Sequence, residues 1–86
     1  MALKIIGAAD DVPQRLTDAI RDALPDARVD VKAGGAAHYE LRVVSEAFRG
    51  KSMVQQHQLV YRAITPLMAG DAPPVHAIDR LTTQVP

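Results

Sequence analysis

Cysteine is absent from this chain of 86 residues. Its absence excludes disulfide bonds, thiolate nucleophiles and any metal or cluster site built from the chain's own sulfur. Aromatic residues make up only 3% of the sequence, so the core must be aliphatic. Hydrophobic residues account for 48% and charged residues for 23%, proportions typical of a soluble globular chain. The composition therefore predicts one small folded domain over residues 1–86.

Net charge is also lacking, because the 10 basic residues balance the 10 acidic ones. Attraction to phosphate cannot come from bulk charge, and only a local patch could supply it. Such a patch exists in residues 49–68, where Arg49, Lys51 and Arg62 stand without an acidic residue and give a local charge of +3.

Long hydrophobic runs are missing as well. No stretch reaches the about 20 apolar residues that cross a bilayer. The apolar run from Met1 to Ala9 is cut off by Asp10 and Asp11 before it reaches the length of a signal peptide. The sequence therefore predicts a cytoplasmic protein with no membrane partner.

Two segments have the apolar spacing of amphipathic helices. The first runs from Val12 to Leu24, with acidic residues before it, Pro13 in its first turn and Pro25 after it. The second starts at Ser52, which forms a capping-box pattern with Gln55. Its predicted buried stripe consists of Met53, His57, Val60, Ile64 and Leu67. Pro66 predicts that this second helix bends or splits, with Thr65 capping a short last turn.

Three segments are typical of strands. Apolar and polar residues alternate over residues 27–32 and 39–43, with Gly34 and Gly35 in the loop between, and a last strand is predicted from Val75 to Leu81. The short loop makes the first two strands antiparallel, and a helical crossover makes the last two parallel. The predicted fold is α+β, in the order αββαβ, with a three-stranded mixed sheet.

Histidines mark one edge of this predicted sheet. His38 stands just before the second strand and His76 at the start of the third, so parallel neighbours about 4.8 Å apart bring the two rings together. Two imidazoles at one edge could bind a metal or cluster that another molecule completes. The alternative is a pair of ordinary surface histidines. His57 lies in an apolar helical stripe instead, where a packed structural histidine is expected.

The segment from Phe48 to Ser52 contains Gly50-Lys51-Ser52, the end of a phosphate-binding P-loop pattern. The full pattern needs glycine where this chain has Ser45, so nucleotide hydrolysis is not expected. Helix N-terminal amides beside Arg49 and Lys51 could still hold a phosphate, and the alternative is a solvated turn. Neither a nucleophile elbow nor a pair of carboxylates occurs, so the chain is not predicted to be an enzyme.

The segment Tyr39 to Tyr61, followed by Val75-His76-Ala77-Ile78, closely resembles the BolA-like family. The most specific matches are Val44-Ser45, Phe48, Gly50-Lys51, Val54-Gln55, His57, Val60-Tyr61 and His76-Ala77. The resemblance covers nearly the whole chain and implies a single domain like a class II KH fold. Phe48 and Tyr61, with His57, are expected to be structural.

The resemblance also implies a partner and a cofactor. BolA-like proteins pair with monothiol glutaredoxins and share a [2Fe-2S] cluster with them. The family's C-terminal histidine corresponds to His76, and a second ligand comes from the loop before the second strand, where His38 is the candidate because cysteine is absent. The glutaredoxin cysteine and glutathione would supply the two sulfur ligands. The implied function is an adaptor in iron-sulfur trafficking or iron regulation.

Some BolA-like proteins instead bind DNA and regulate stress, morphology or biofilm genes. In this alternative the binding residues would be Arg49, Gly50, Lys51, Ser52 and Arg62. The family usually has arginines on both sides of the helix histidine, whereas this chain has Gln56 and Gln58. A third reading is an interaction module that binds neither cluster nor DNA. Alone, the chain is expected to be a monomer or a weak homodimer.

Overall fold

The computed structural model describes residues 11–86, so the expectation for the apolar run Met1 to Ala9 lies outside the described residues. The elements are α1 (Val12–Ala23), β1 (Arg28–Ala33), β2 (His38–Val44), a 3-10 turn (Glu46–Phe48), α2 (Met53–Met68) and β3 (Ala77–Gln84). This order confirms the predicted α+β fold of two helices and three strands.

Helix α1 begins where the sequence predicts. The Asp11 carboxylate accepts a hydrogen bond of 3.1 Å from the backbone N–H of Gln14, which satisfies an amide that the helix itself leaves free. Leu16 and Ile20 are fully buried, so the apolar face of α1 packs into the core. The helix ends at Ala23, shortly before Pro25.

The sheet has the strand order β1-β2-β3. Strands β1 and β2 are antiparallel, with Arg28 opposite Val44, and strands β2 and β3 are parallel, with His38 opposite Ala77. Both predicted directions are confirmed. The predicted bounds of the last strand are wrong at both ends. Val75 is fully buried, but its N–H donates to the C=O of Leu67 and not to β2, so pairing starts only at Ala77.

Helix α2 is continuous through Pro66, so the predicted split of the helix at this residue is wrong. The capping box of Ser52 and Gln55 is present in both directions. Thr65 does not cap a new turn, because its hydroxyl donates to the C=O of Tyr61 over 2.7 Å. Pro66 lies in the last turn, where it removes one intrahelical hydrogen bond and the helix needs to continue for only two more residues.

The buried stripe of α2 is shorter than predicted. Val60, Ile64 and Leu67 are buried, whereas Met53 is 67% exposed and His57 is half-buried. No residue of α2 before Val60 belongs to the core. The first turn of α2 therefore serves to begin the helix and contributes little to packing.

One hydrophobic core joins the elements of the described part of the chain. Its residues come from both helices, from β2 and from the segments between the elements: Leu16, Ile20, Leu24, Ala27, Leu41, Val43, Phe48, Val60, Ile64, Leu67 and Val75. Phe48, in the 3-10 turn, is the largest of the side chains that are fully buried. Because this core fixes β2 and the approach to β3, it also fixes the edge of the sheet at which both strands start.

The hairpin between β1 and β2 places two alanines in the left-handed region, Ala36 at φ 49° and Ala37 at φ 65°. The N–H of His38 donates to the C=O of Gly35 over 2.9 Å, which closes a tight turn of type I′. A non-glycine residue in the left-handed conformation costs about 1–2 kcal/mol. Glycine avoids this strain, but it loses more backbone entropy on folding, which costs about 0.5–1 kcal/mol. Ala37→Gly is therefore expected to raise the free energy of unfolding by about 0.5–1 kcal/mol in a urea titration.

The matched control for this prediction is Gly50→Ala. Gly50 has φ 78° and nothing within 4 Å of an added Cβ, so the substitution introduces the same backbone strain without a clash. It is expected to lower the free energy of unfolding by about 1 kcal/mol. A loss of stability in Ala37→Gly would contradict the turn assignment.

Candidate functional site

His38 and His76 lie side by side at the edge where β2 and β3 start. Their ring centroids are 5.3 Å apart, and the ring planes meet at 74° in an edge-to-face arrangement. His38 is the first residue of β2, and His76 immediately precedes β3. The predicted proximity of the two rings is confirmed, whereas their role as ligands stays a prediction.

The turn of the hairpin holds both histidines in place. The C=O of Ala37 accepts the N–H of His76 over 2.9 Å and that of Ala77 over 3.4 Å, and His38 follows Ala37 in the chain. On the other side of His76, Val75 is buried in the core and bonded to the end of α2. The backbone at both histidines is thus fixed before any ligand is bound.

An acidic residue contacts the first of the two rings. The Nδ1 atom of His38 lies 2.8 Å from Oδ1 of Asp79 in β3. The side chains are partly accessible, at 35% for His38 and 50% for Asp79, while His76 is exposed. Sequence reasoning did not single out Asp79. A signal was available, because Ile78 and Leu81 are three residues apart and so interrupt the period of two expected in a strand.

The chain offers an incomplete set of donors at this edge. Within residues 11–86, no group of three or more His, Cys, Asp or Glu side chains is arranged to hold a metal ion. Two imidazole nitrogens are nevertheless available at a partly exposed site. This donor set fits one half of a four-ligand centre, with the other half contributed by a second molecule.

The other candidate surface is the turn from Phe48 to Ser52, which follows β2 and therefore lies away from the edge where β2 starts. Arg49 forms a two-point ion pair with Glu46, with N···O distances of 2.8 and 2.9 Å. The contact lowers the pKa of Glu46 and raises the pKa of Arg49 through the shared hydrogen bonds and charge attraction. The guanidinium of Arg49 is therefore already engaged by a carboxylate.

The remaining residues of this surface are arranged as follows. Gly50 takes a left-handed conformation, Lys51 is exposed and Ser52 caps α2 with its hydroxyl. Arg62 is exposed nearly three turns further along the helix. Gly50, Lys51 and Ser52 thus form the entry to α2, whereas Arg62 lies along its length.

The three residues expected to be structural differ in their surroundings. Phe48 is fully buried, His57 is half-buried and Tyr61 is 38% exposed. No hydrogen bond to the His57 ring is found within residues 11–86. The pattern of the sequence does not distinguish these three degrees of burial.

A buried serine supports the 3-10 turn. The hydroxyl of Ser45 donates to Asp26 over 2.7 Å, and the N–H of Glu46 donates to the other oxygen of Asp26 over 2.8 Å. These hydrogen bonds to the charged carboxylate lower the pKa of Asp26. Ser45, where a P-loop would have glycine, therefore has a structural role between α1 and the turn.

Gln56 connects the turn to both α2 and β3. Its amide group donates to the C=O of Lys51 over 2.9 Å and to that of Phe48 over 3.3 Å, while its oxygen accepts from Thr83 over 2.7 Å. The resemblance led us to expect an arginine at this position. Gln56 instead ties the backbone of the turn to the sheet, a role that its sequence position did not reveal.

Gln56→Ala is expected to lower the free energy of unfolding by about 1–3 kcal/mol, because the substitution leaves its partly buried partners without hydrogen bonds. The measurement is urea unfolding followed by circular dichroism. The neighbouring Gln58 is exposed, so Gln58→Ala is the matched control and should stay within about 0.5 kcal/mol of wild type. Equal effects of the two substitutions would contradict the assigned role of Gln56.

Comparison with known proteins identifies the family. The model of the family described as BolA-like protein matches residues 17–85. The chain belongs to the BolA-like family. A relative from Acinetobacter guillouiae, an uncharacterised protein of the rpoN-murA intergenic region, is 37% identical over 65 residues, which are 76% of this chain and 75% of the relative.

Solved structures of the BolA-like family show the same fold. The BolA domain of SufE1 from Arabidopsis thaliana has a TM-score of 0.70 at 27% identity and aligns over 88% of this chain and 93% of that one. Yeast Fra2 has a TM-score of 0.56 at 25% identity over 83% and 75% of the two chains. The further description of the fold as KH-like stays a prediction.

Coverage of the BolA-like relatives varies. The aligned part makes up 33% of the length of one curated relative and 76% and 75% of two others. In the part of the chain that the structure describes, no helix combines the length and the apolar character needed to cross a membrane. Membership of the family is shown for residues 17–85.

Proposed function

We propose that this BolA-like chain is a non-enzymatic adaptor that docks on a monothiol glutaredoxin and completes a shared [2Fe-2S] cluster through His76 and His38. The observation that carries the proposal is the distance of 5.3 Å between the two imidazole rings, from residues 38 positions apart in the chain, at one accessible edge. The glutaredoxin cysteine and glutathione would supply the sulfur ligands. The role would belong to iron-sulfur trafficking or iron regulation.

The chemistry of the edge supports sharing with a second molecule. The chain contains no thiol, and iron-sulfur clusters are held mainly by thiolates. Two imidazoles alone would therefore bind a cluster weakly, and a partner that carries thiolates is required. The pair of nitrogens is partly exposed at the edge of the sheet, where such a partner can reach it. The hairpin and the core hold the pair in place.

The similarity to known proteins adds support from the family. The resemblance links BolA-like proteins with glutaredoxins and iron-sulfur clusters, and the solved relatives include the BolA domain of SufE1 and yeast Fra2. The resemblance implies that His76 corresponds to the family's C-terminal ligand. His38 occupies the loop region before the second strand, where the family's second ligand varies.

The proposal is tested by mixing the chain with a glutaredoxin that carries its own reconstituted cluster. The wild-type chain is expected to change the visible absorption and circular dichroism spectra, because two thiolate ligands are replaced by imidazoles. The double variant His38→Ala/His76→Ala should leave the spectra as they are without the chain. His57→Ala is the matched control and should behave like wild type, because His57 lies on α2 and not at the edge.

Two results would count against the proposal. An unchanged spectrum with the wild-type chain would reject the shared cluster. A change of equal size with the double variant would reject the two ligands while leaving the association with glutaredoxin in place.

DNA binding is the second candidate function. Its support is the exposed Lys51 and Arg62 in a segment without acidic residues. Two observations weigh against it, since Arg49 is paired with Glu46 and Gln56 is tied to the turn. Removal of a phosphate contact weakens binding and reduces its dependence on salt. Binding to duplex DNA that changes neither with salt nor with Lys51→Ala would reject this candidate.

A further inference from the structure

We propose that Asp79 is a positioning residue that holds the proton of the His38 imidazole on Nδ1 and leaves Nε2 as the nitrogen that binds the shared cluster. This inference deepens the proposed function and rests on it for the last step. The choice of tautomer involves only His38 and Asp79, which are in contact in the structure.

Between an ionised carboxylate and a neutral imidazole, this contact places the proton on Nδ1. Nδ1 of His38 and Oδ1 of Asp79 are 2.8 Å apart, a hydrogen-bond distance. An ionised carboxylate can only accept hydrogen bonds, so the imidazole nitrogen must be the donor. A neutral imidazole carries one N–H, and its lone pair is therefore on Nε2. A free imidazole side chain in water prefers the opposite tautomer, so Asp79 reverses the ordinary preference.

The local irregularity of β3 explains how Asp79 reaches the ring. Tyr39 pairs with Ile78 and the next residue of β2, Glu40, pairs with Arg80, so Asp79 is the extra residue of a bulge and has no partner in β2. Asp79 and Arg80 are both exposed, where a regular strand would place one of them inward. A bulge changes the direction of a side chain, and bulges occur preferentially beside functional sites.

The hairpin backbone passes close to this pair of side chains. A Cβ atom added at Gly34 would lie 3.3 Å from the C=O oxygen of His38, which is a tight contact, and 3.8 Å from Oδ2 of Asp79, which is an ordinary van der Waals contact. Glycine at this position thus suits the backbone of the hairpin. The bulge and the hydrogen bond converge on one group, the His38 imidazole.

A fixed tautomer matters for ligation. A histidine that binds a metal commonly donates its second N–H to a carboxylate, which orients the ring and makes the bound nitrogen more basic, and removal of such a partner costs about 10- to 100-fold in affinity. Asp79 would give His38 this support. His76 shows no such carboxylate contact among the described residues, so the two nitrogens are expected to differ in their dependence on acidic neighbours.

The first experiment measures the tautomer in the isolated full chain by nitrogen-15 NMR of the histidine side chains at mildly alkaline pH. Wild type should show His38 protonated at Nδ1 and unprotonated at Nε2. In Asp79→Ala the ratio of the two tautomers should shift toward Nε2–H by about tenfold or more, because a hydrogen bond to a charged group is lost. Asp30→Ala, which removes an exposed carboxylate from β1, is the matched control and should leave the ratio unchanged.

The second experiment titrates each variant into cluster-loaded glutaredoxin and measures the affinity from the spectral change. Asp79→Ala should bind about 10- to 100-fold more weakly than wild type, and Asp30→Ala should bind as wild type does. Circular dichroism confirms that each variant is folded. A purely structural role for Asp79 would alter stability without reversing the tautomer.

The outcomes separate the inference from the proposed function. An unchanged tautomer in Asp79→Ala, or a reversed tautomer with undiminished affinity, would overturn the role of Asp79 even though wild type shares the cluster. The tautomer of His38 could be reversed in Asp79→Ala while wild type leaves the spectrum of the glutaredoxin cluster unchanged. This result would reject the shared cluster and ligation by Nε2, and it would support the role of Asp79 in setting the tautomer.

Discussion

Phe48→Ala is expected to lower the free energy of unfolding by about 3–5 kcal/mol, because it removes an aromatic side chain and leaves a cavity. Phe48 is fully buried in the hydrophobic core. A chain of this length has a total stability of roughly 4–13 kcal/mol. The variant should therefore unfold at a much lower urea concentration and lose part of its helical circular dichroism signal at room temperature.

The control for this prediction is Tyr61→Ala. Tyr61 is also aromatic, but it is 38% exposed, and its truncation should cost about 1 kcal/mol. Similar losses in the two variants would show that Phe48 does not fill the core as the structure indicates. The comparison also separates two residues that the resemblance alone places in the same structural class.

In the proposed complex, the cluster is expected to have a midpoint reduction potential higher, by on the order of 100 mV, than that of the glutaredoxin cluster held only by thiolates. Neutral imidazole stabilises the oxidised iron less than an anionic thiolate does, so the cluster accepts an electron more readily. His76→Cys restores one thiolate and should lower the potential again. The measurement is a redox titration of the cluster absorbance.

His57→Gln is the matched variant for the potential and should leave it as in wild type. A potential that equals that of glutaredoxin alone, or one that does not respond to His76→Cys, would contradict ligation by His76. The direction of the shift in reduction potential is informative. An upward shift is expected when a neutral imidazole replaces an anionic thiolate. If the chain bound beside the cluster and left its thiolates in place, no such replacement would occur.

Much of the fold is predictable because its signals are local. The capping box at Ser52 and the caps and apolar spacing around α1 depend on a few neighbouring residues, and both are confirmed. The convergence of His38 and His76 was predictable from topology, since strand direction alone decides which ends share an edge. The prediction needed no knowledge of side-chain contacts.

The wrong predictions concern competition between local and tertiary interactions. Pro66 has a strong tendency to end helices, but it lies close enough to the end of α2 for Leu67 to remain helical and buried. Met53 has the right spacing for the apolar stripe, yet the core begins only at Val60. The start of β3 depends on whether Val75 bonds to β2 or to Leu67, a choice that the sequence pattern does not encode.

The supporting residues of the site were the hardest to predict. Asp79 is related to His38 through a bulge in β3, and Gln56 is related to Thr83 through a hydrogen bond between α2 and the sheet. Neither pair is close in sequence. A bulge shifts the register by one residue, so even a correct topology would not have placed Asp79 beside the ring.

The most direct measurement of the central claim is pulsed electron paramagnetic resonance of the reduced cluster in the complex, with the histidines of this chain labelled with nitrogen-15 and glutaredoxin unlabelled. The account predicts strong couplings to two labelled nitrogens, one of which disappears in His38→Ala and the other in His76→Ala. A spectrum without coupling to labelled nitrogen would contradict it, because the cluster would then be held without any imidazole from this chain.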